Sequence, residues 1–261
     1  MPNFDLRTAD LRVLNSLTKY PSIPTYHALD PRDGGLREDE VVGFTGAVTL
    51  TEKVDGTNSR IIVTPDGGYL IGSREELLYA RGDLIGNPAL GIVDALRELA
   101  ERLRAEAGDG ITVWYFEVYG GKVTGASKQY TGSRRVGQRL FDVVELDGYA
   151  DLLELPAERI AAWRDGGGQP FLDESALLDR ARAHDLAAVP RLATVDATEL
   201  PRDLDKTYAF LADRLPHTLV ALDGTPGRSE GLVLRTADRS VIAKARFQDY
   251  ERARRRRSGG R

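Results

Sequence analysis

Short runs rich in apolar, β-branched and aromatic residues recur along the chain, a composition typical of β-strands. Residues 47–52, 59–64 and 69–73 are such runs, and Pro65-Asp66-Gly67-Gly68 supplies a turn between the last two. Successive side chains of a strand point to opposite faces of its sheet, so one face of each run can be buried. The pattern therefore predicts three strands here. The same reasoning predicts further strands at residues 111–119, 140–146, 231–236 and 241–247.

Apolar residues at every third or fourth position predict helices elsewhere. Residues 88–107 have this spacing and predict a long helix, and residues 5–20 predict a shorter one with its leucines on one side. The intervening segment 21–46 is rich in proline, glycine and charge, which predicts a loop.

The segment from about 148 to 217 has a different texture from the strands on either side. Helical spacing occurs at residues 156–164, 173–184 and 203–215, and Asp173 is placed to cap the second of these helices. Strands that enclose an inserted helical region predict an α+β fold built on antiparallel sheets.

The composition narrows the class of protein. A chain of 261 residues with 41% hydrophobic and 29% charged residues can bury a sizeable core. The absence of cysteine excludes disulfides, thiolate metal sites and cysteine nucleophiles, and the three histidines show no metal-ligand spacing. No apolar run approaches the roughly 18–20 residues that span a membrane, and the N-terminus lacks an apolar signal core. We therefore expect a cytoplasmic protein with no membrane partner.

The charges are unevenly distributed around a formal net charge of −4. Residues 252–261 contain six arginines and no acid, and we expect them to form a disordered basic tail that contacts RNA. A second basic region includes Tyr130, and basic residues beside an aromatic suit the phosphates of a polyanion, although a solvated face is the alternative. Its cations are Lys122, Lys128, Arg134, Arg135 and Arg139.

The strongest chemical signal is the stretch Lys53-Val54-Asp55-Gly56. A lysine is a poor nucleophile while protonated, with an unperturbed pKa of about 10.4, and desolvation or a nearby cation lowers that pKa. Asp55 and Gly56 suit an acidic contact and a tight turn beneath a nucleotide. Alone, this short motif could equally be a surface turn.

Further charged and aromatic residues follow Lys53 at strand ends. Lys244 and Arg246 are two residues apart and so project from one face of one strand, where with Arg74 they can hold a triphosphate. Carboxylates can bind a ribose hydroxyl or a hydrated magnesium ion, and Phe141 can stack on a base. Each of these residues, taken alone, could have a purely structural role. The charged ones could lie at a strand edge or form an ion pair, and Phe141 could belong to the core. The carboxylates are those of Glu117 and Glu230.

In this order the residues resemble the motifs of the covalent lysyl-nucleotidyltransferases, the superfamily of DNA ligases, RNA ligases and messenger RNA capping enzymes. The six stretches that carry the resemblance span residues 47–247 and are Lys53-Val54-Asp55-Gly56, Ser73-Arg74, Phe116-Glu117-Val118-Tyr119-Gly120, Leu140-Phe141-Asp142, Glu230-Gly231-Leu232-Val233 and Lys244-Ala245-Arg246. The resemblance implies a nucleotidyltransferase fold, the ATP-grasp-like adenylation fold of ligases, in which antiparallel sheets enclose a nucleotide pocket. Lys53 would attack the α-phosphorus of ATP and release pyrophosphate. The AMP would pass to a 5′-phosphate end, and a 3′-hydroxyl would displace it.

The details resemble the phage nick-sealing type of RNA ligase. Asn58 stands where DNA ligases and capping enzymes usually have arginine, and the segment Ala188-Val189-Pro190-Arg191-Leu192 is similar to that branch. Arg246 departs from the usual second lysine of its motif, which keeps the charge but changes its geometry. The substrate implied is RNA with 5′-phosphate and 3′-hydroxyl ends in a nicked duplex.

The resemblance also implies roles for the remaining residues and a domain plan. Glu52 would border the adenine, Phe141 would stack on it, and Arg74 and Asn58 would face the phosphates or the RNA ends. Glu230 and Glu117 would hold Mg²⁺ or Mn²⁺ through water. We expect residues 1–247 to form the adenylation domain, residues 248–261 to form the tail, and no separate C-terminal domain to follow. A partner protein would then supply part of the end recognition.

Three alternatives stay open at this stage. The nearest is a ligase for nicks in DNA or RNA–DNA hybrids, and a GTP-using capping enzyme is another. The third is a non-catalytic RNA-binding module, although such a module has no chemical need of Lys53 together with both glutamates and both cations of the last motif.

Overall fold

The computed structural model describes residues 4–80, 83–85, 91–224 and 226–259. In chain order the strands are β1 (His27–Leu29), β2 (Leu36–Val41), β3 (Ala47–Lys53), β4 (Thr57–Val63), β5 (Tyr69–Ser73), β6 (Leu77–Ala80), β7 (Asp83–Leu84), β8 (Ile111–Gly120), β9 (Val136–Leu146), β10 (Arg191–Asp196), β11 (Gly231–Thr236) and β12 (Ile242–Arg246). The helices are α1 (Leu11–Thr18), α2 (Ile92–Leu103), α3 (Tyr149–Leu153), α4 (Ala157–Asp165), α5 (Glu174–Ala183), α6 (Leu204–Arg214) and α7 (Phe247–Gly259). Short 3₁₀ turns occupy Arg104–Glu106, Gly125–Gln129 and Ala197–Glu199.

These elements form two compact units. The first unit comprises Met1–Ser22, Gly56–Ser127 and Arg134–Ala188, and the second comprises Ile23–Asp55, Lys128–Ser133 and Val189–Arg261. All strands pair antiparallel within their sheets, which confirms the predicted α+β class with antiparallel sheets.

The first unit is built on a six-stranded sheet in the order β7-β6-β5-β4-β8-β9. Alternation along β4 and β8 directs Ile61, Trp114 and Phe116 to one face, where they pack against the apolar side of α2. Tyr115 points to the opposite face, and its hydroxyl donates to the Thr18 carbonyl at the end of α1 over 2.9 Å. Both faces of β4 and β8 are therefore largely buried, one against α2 and the other toward α1.

The second unit contains a four-stranded sheet in the order β10-β3-β11-β12 and the two-stranded hairpin β1-β2. Leu50 of β3 and Leu232 and Leu234 of β11 share the buried face of this sheet. They pack in one apolar cluster with residues of α6 and α7, including Leu211 and Tyr250. Thr49, Thr51 and Lys53 of β3 therefore lie on the other face.

Two predictions for the N-terminal part are wrong. The predicted helix at 5–20 is shorter, because the Asp10 side chain accepts hydrogen bonds from the Arg12 and Val13 backbone and starts α1 at Leu11. The predicted loop at 21–46 contains the hairpin β1-β2. Strand β2 is almost entirely exposed and polar, so it lacks the apolar composition on which the strand predictions relied.

The predicted helical region at 148–217 is divided between the units. Helices α3, α4 and α5 belong to the first unit, and Asp173 caps α5 through the Ala176 N–H as predicted. In the second unit the region contains α6 and also β10, which pairs with β3 and contradicts a purely helical insert. The predicted helix at 88–107 is confirmed from Ile92 to Leu103, and its residues 88–90 lie outside the described residues.

The prediction of a disordered C-terminal tail is wrong for the described residues up to 259. They form α7, in which Phe247, Tyr250 and Ala253 are 5%, 1% and 9% exposed. These positions are three apart, so they form one apolar side of a helix. The arginine-rich composition conceals this spacing.

Candidate active site

Lys53 is the last residue of β3 and begins a row of three residues across the second unit's sheet. It lies opposite Gly231 of β11, and Gly231 lies opposite Arg246 of β12. Opposed residues in antiparallel strands project to the same face, so no side chain intervenes between Lys53 and Arg246. A Cβ added at Gly231 would lie 2.0 Å from the Ala245 carbonyl oxygen. Only glycine therefore fits at the centre of this row.

The Lys53 ammonium is ion-paired with Glu230, the residue before β11. Its Nζ donates to Glu230 Oε2 over 2.6 Å, and the two side chains are 24% and 13% exposed. Burial raises the pKa of the Glu230 carboxyl, while the charge of Lys53 opposes this rise and the charge of Asp55 adds to it. The structure thus brings three predicted site residues together: Lys53, Asp55 and Glu230.

Lys244 and Arg246 project from one face of β12, as predicted from their spacing. The sequence did not reveal that Arg246 is already paired. Its Nε and Nη2 donate to the two carboxylate oxygens of Asp249 over 2.8 and 3.1 Å, and Asp249 lies in the first turn of α7. This bidentate pair fixes the plane of the Arg246 guanidinium.

Asp55 is held by Tyr130, the aromatic residue of the second basic region. Its backbone N–H donates to the Tyr130 hydroxyl oxygen over 2.6 Å. Tyr130 is 1% exposed, and burial raises the pKa of its hydroxyl. Its interpretation as an aromatic available to a polyanion is therefore wrong, since the ring is enclosed. Tyr130 instead anchors the turn that follows Lys53.

Glu52 lies on the opposite face of β3 from Lys53 and is 1% exposed. Its Oε1 accepts from the Thr218 hydroxyl over 2.5 Å, and its Oε2 accepts from the Leu219 N–H over 2.9 Å. The carboxylate thus holds the segment at 218–219, and its contact with adenine stays a prediction.

In the first unit, Asn58 and Glu117 lie directly opposite each other on β4 and β8 and share a face. Glu117 Oε1 accepts from the Gly56 N–H over 3.0 Å. The Asn58 Oδ1 atom is buried and has no hydrogen-bond partner among the described residues. A buried acceptor without a partner is costly, so the site suits a ligand that brings a donor, such as a ribose hydroxyl or metal-bound water.

Arg74 directly follows β5, and a buried cation that carries no signal in the sequence holds the backbone there. Arg60 is 0% exposed, and its Nη1 donates to the carbonyls of Ser73 and Arg74 over 2.7 and 3.2 Å. Burial lowers the pKa of Arg60 to about 10, so it stays charged at neutral pH. Arg74 itself donates to the Ser22 hydroxyl over 3.0 Å and lines a cleft of about 490 Å³.

Phe141 packs among other aromatic rings of the first unit. Its ring centroid lies 5.0 Å from that of Tyr20 and 6.2 Å from that of Tyr115, the latter pair being stacked. These contacts match the core alternative considered from the sequence, and stacking on a base stays a prediction.

The carboxylates near Lys53 suit a hydrated divalent cation better than a metal ion coordinated by protein side chains alone. Within the described ranges, histidine and carboxylate side chains form no cluster of three that could enclose an ion. Mg²⁺ usually keeps several waters and uses one or two carboxylates with substrate phosphates. The carboxylates of Glu230 and Asp55 fit that mode of binding, and burial, to which the charge of Asp55 adds, raises the pKa of Glu230.

The family comparison gives a direct match to the chain. The family model described as RNA ligase matches residues 46–247, which is most of the sequence and includes every candidate site residue named above. No curated protein matches the chain.

Several solved structures share the fold at low sequence identity. A Naegleria gruberi RNA ligase with pyrophosphate is 14% identical, with a TM-score of 0.59 over 98% of this chain and 64% of that chain. A variant of the same ligase with ATP and manganese is 16% identical, with a TM-score of 0.55 over 90% of this chain and 57% of that one. An archaeal ATP-dependent RNA ligase is 18% identical, with a TM-score of 0.53 over 92% and 50% of the two chains. The present chain thus spans between 50% and 64% of the length of these structures.

Proposed function

Because the chain belongs to the RNA ligase family, we propose that it joins RNA ends through a covalent AMP on Lys53. The Lys53 amine attacks the α-phosphorus of ATP, so that an N–P bond forms, the bond to the bridging oxygen breaks, pyrophosphate leaves and the amine loses its proton. The AMP then moves to a 5′-phosphate of RNA, and a 3′-hydroxyl displaces it to leave a phosphodiester.

The observation that supports this proposal most is the row Lys53–Gly231–Arg246 with Glu230 beside it. The 2.6 Å contact holds the Lys53 amine in one direction. The residue between them in the row is a glycine, so no side chain separates the positions of Lys53 and Arg246. A cation fixed on the same face as the nucleophile can stabilise negative charge that develops on a phosphoryl group.

We assign the other candidate residues to the nucleotide within the same proposal. Lys244 and Arg246 bind phosphate oxygens, as does Arg74. Asn58 and Glu117 bind the ribose, for which the partnerless Asn58 oxygen is the support. Glu52 borders the adenine, and Phe141 stacks on it. Residues 1–247 would form the adenylation domain.

We further propose that Glu230, with Glu117, holds a hydrated Mg²⁺ or Mn²⁺ ion. When bound, such an ion offsets phosphate charge and favours release of pyrophosphate. Glu230 would then be shared between the ion and Lys53, whose Nζ lies 2.6 Å from its carboxylate.

The proposed substrate is a nicked RNA duplex with 5′-phosphate and 3′-hydroxyl ends, joined in the cytoplasm with a partner protein that supplies part of the end recognition. No helix among the described residues is long and apolar enough to cross a membrane.

A joining assay tests this function. The chain is incubated with ATP, Mg²⁺ and a nicked RNA duplex, and in parallel with DNA and RNA–DNA duplexes of the same sequence at one salt concentration, because salt changes all phosphate contacts. We expect RNA to be sealed fastest. The Lys53→Arg variant, which keeps the charge beside Glu230, should seal none of the three, whereas Lys206→Arg on the exposed side of α6 should behave as the parent does.

Faster sealing of DNA would contradict the substrate assignment. Sealing by Lys53→Arg at the parent rate would contradict the covalent mechanism. A chain that seals only after a second protein is added would support the partner proposal.

A further inference from the structure

The connection between β8 and β9 concentrates positive charge on an otherwise acidic chain. From Val118 to Phe141 the sequence contains five cations and no aspartate or glutamate, although the whole chain carries a net charge of −4. Four of these cations belong to the first unit and cluster near the β8 and β9 strand ends. They are Lys122, Arg134, Arg135 and Arg139.

The backbone draws the two ends of this connection together. Gly120 is paired with Val136, and the following glycine, Gly121, has a φ of +54°. A Cβ at Gly121 would lie 2.7 Å from the Val136 side chain and 3.3 Å from the Arg134 carbonyl oxygen. A residue with a side chain would therefore push the two ends apart. The glycine brings Lys122 beside Arg134 and Arg135.

These cations are presented to solvent. Lys122, Arg134 and Arg135 are exposed, and Arg139 is half-buried. Within the described part of the chain, neither Lys122 nor Arg134 has an ion-pair partner. Like charges held close together repel one another, and a binding polyanion relieves that repulsion.

The cluster lies at the end of the sheet that carries the candidate nucleotide residues of the first unit. Glu117 is three residues before Gly120 on β8, which corresponds to about 10 Å along the strand. Arg139 lies directly opposite Glu117 in the register and shares its face. An RNA backbone that runs from Glu117 along this end of the sheet would therefore pass over the cations.

We propose that the β8–β9 cluster (Lys122, Arg134, Arg135 and Arg139) binds the phosphodiester backbone of the RNA next to the ends that are joined. This inference rests on the proposed RNA ligase function and adds where the RNA is held. The cluster acts on RNA only, since formation of the lysyl–AMP from ATP needs no polynucleotide.

The test is a matched pair of double variants. Lys122→Ser/Arg134→Ser removes two positive charges from the cluster. Arg252→Ser/Arg255→Ser removes two from α7, where both side chains are exposed and have no ion-pair partner among the described residues. Binding of a nicked RNA duplex is measured without ATP over a range of salt concentrations, and self-adenylylation with ATP alone is measured for each protein.

We expect the cluster variant to bind RNA at least about tenfold more weakly, with a slope of log K against log[salt] that is lower by about 1.4–1.8, which corresponds to two lost phosphate contacts. The α7 variant should keep most of the parent's affinity and slope. Both variants should form the adenylate at the parent rate, which also shows that they are folded.

If both variants lost the same affinity for RNA, the proposal would be overturned, because the loss would then depend on the net charge of the protein and not on the position of the cations. Unchanged RNA binding by the cluster variant would overturn it as well, and so would loss of its self-adenylylation. A parent that binds RNA through the cluster but forms no adenylate would instead contradict the proposed ligase function.

Discussion

Tyr130 takes no part in the proposed chemical steps, yet its hydroxyl holds the turn that follows Lys53, the proposed nucleophile. It accepts the Asp55 N–H over 2.6 Å from a ring that is 1% exposed. The contact joins residues 75 positions apart in the sequence. A side chain that positions a nucleophile sets how often the amine meets phosphorus in a reactive geometry.

Removal of this hydroxyl should therefore slow the first chemical step. We expect Tyr130→Phe to lower the maximal rate of lysyl–AMP formation by roughly five- to tenfold, because a lost buried hydrogen bond costs about 1 kcal/mol. The KM for ATP should change little, since Tyr130 is not a proposed nucleotide contact. Single-turnover adenylylation over a range of ATP concentrations measures both quantities.

Tyr149→Phe is the control for this change. Tyr149 is 7% exposed, and its hydroxyl has no hydrogen-bond partner among the described residues. If both variants lose the same rate, or if Tyr130→Phe changes only thermal stability, Tyr130 is not a positioning residue.

The residues to which we assign a chemical role stand out in the sequence, whereas the residues that hold them do not. Lys53, Glu230 and Arg246 occur in short motifs at the ends of strand-like runs. Asp249 and Arg60 carry no such signal. Their roles follow from contacts with Arg246 and with the Ser73 carbonyl that form only in the folded chain.

Among the secondary-structure elements, α7 differs most from the sequence-based prediction, which was a disordered tail. Its arginines pair with acids of the β1–β2 region and of α6: Arg256 with Asp33 at 2.9 Å, and Arg254 with Asp205 at 3.1 Å. Such exposed pairs contribute little energy individually, so the buried apolar side of the helix accounts for most of its attachment. Strand prediction succeeded for β5 and β11 because each is a short, mainly apolar run, and it failed for β2 because that strand is exposed and polar.

The contact between β1 and α7 contains a buried histidine. His27 is 0% exposed; its Nε2–H donates to the Arg202 carbonyl over 2.7 Å, and its Nδ1 accepts from the Tyr250 hydroxyl over 2.9 Å. Burial lowers the pKa of His27 below its usual 6.5, although the Arg202 carbonyl and the carboxylates of Glu38 and Asp203 oppose this shift. The neutral ring is therefore the form that the fold prefers.

Stability should consequently fall as the pH falls. Because the pKa is lower in the folded than in the unfolded state, the contribution of His27 is fully present above pH 6.5 and is lost as the pH drops through the folded-state pKa. We expect the free energy of unfolding to decrease less between pH 7.5 and pH 5.5 in His27→Gln than in the parent. Denaturant unfolding at a series of pH values measures this difference.

The exposed His217 provides the matched control. His217→Gln should follow the parent at every pH. A His27→Gln profile that also follows the parent would show that protonation of His27 does not limit stability in acid.

For the whole molecule, the RNA ligase family model covers residues 46–247, and all six motifs occur within that range in the order that the resemblance requires. The antiparallel α+β class was predicted from strand-like runs on both sides of a helical region. The division into two compact units was not, since residues of one unit come from three separate segments. Lys53 and Asp55 belong to the second unit and Gly56 to the first, so the first motif contains the point at which the chain passes from one unit to the other.

Intact mass spectrometry shows whether Lys53 carries a covalent AMP. The purified, AMP-free chain is incubated with ATP and Mg²⁺, and in parallel with GTP. We expect a mass gain that matches one AMP in the parent, none in Lys53→Ala or Lys53→Arg, and none with GTP. If the folded parent gains no mass, or if the gain persists in both Lys53 variants, Lys53 does not carry the AMP.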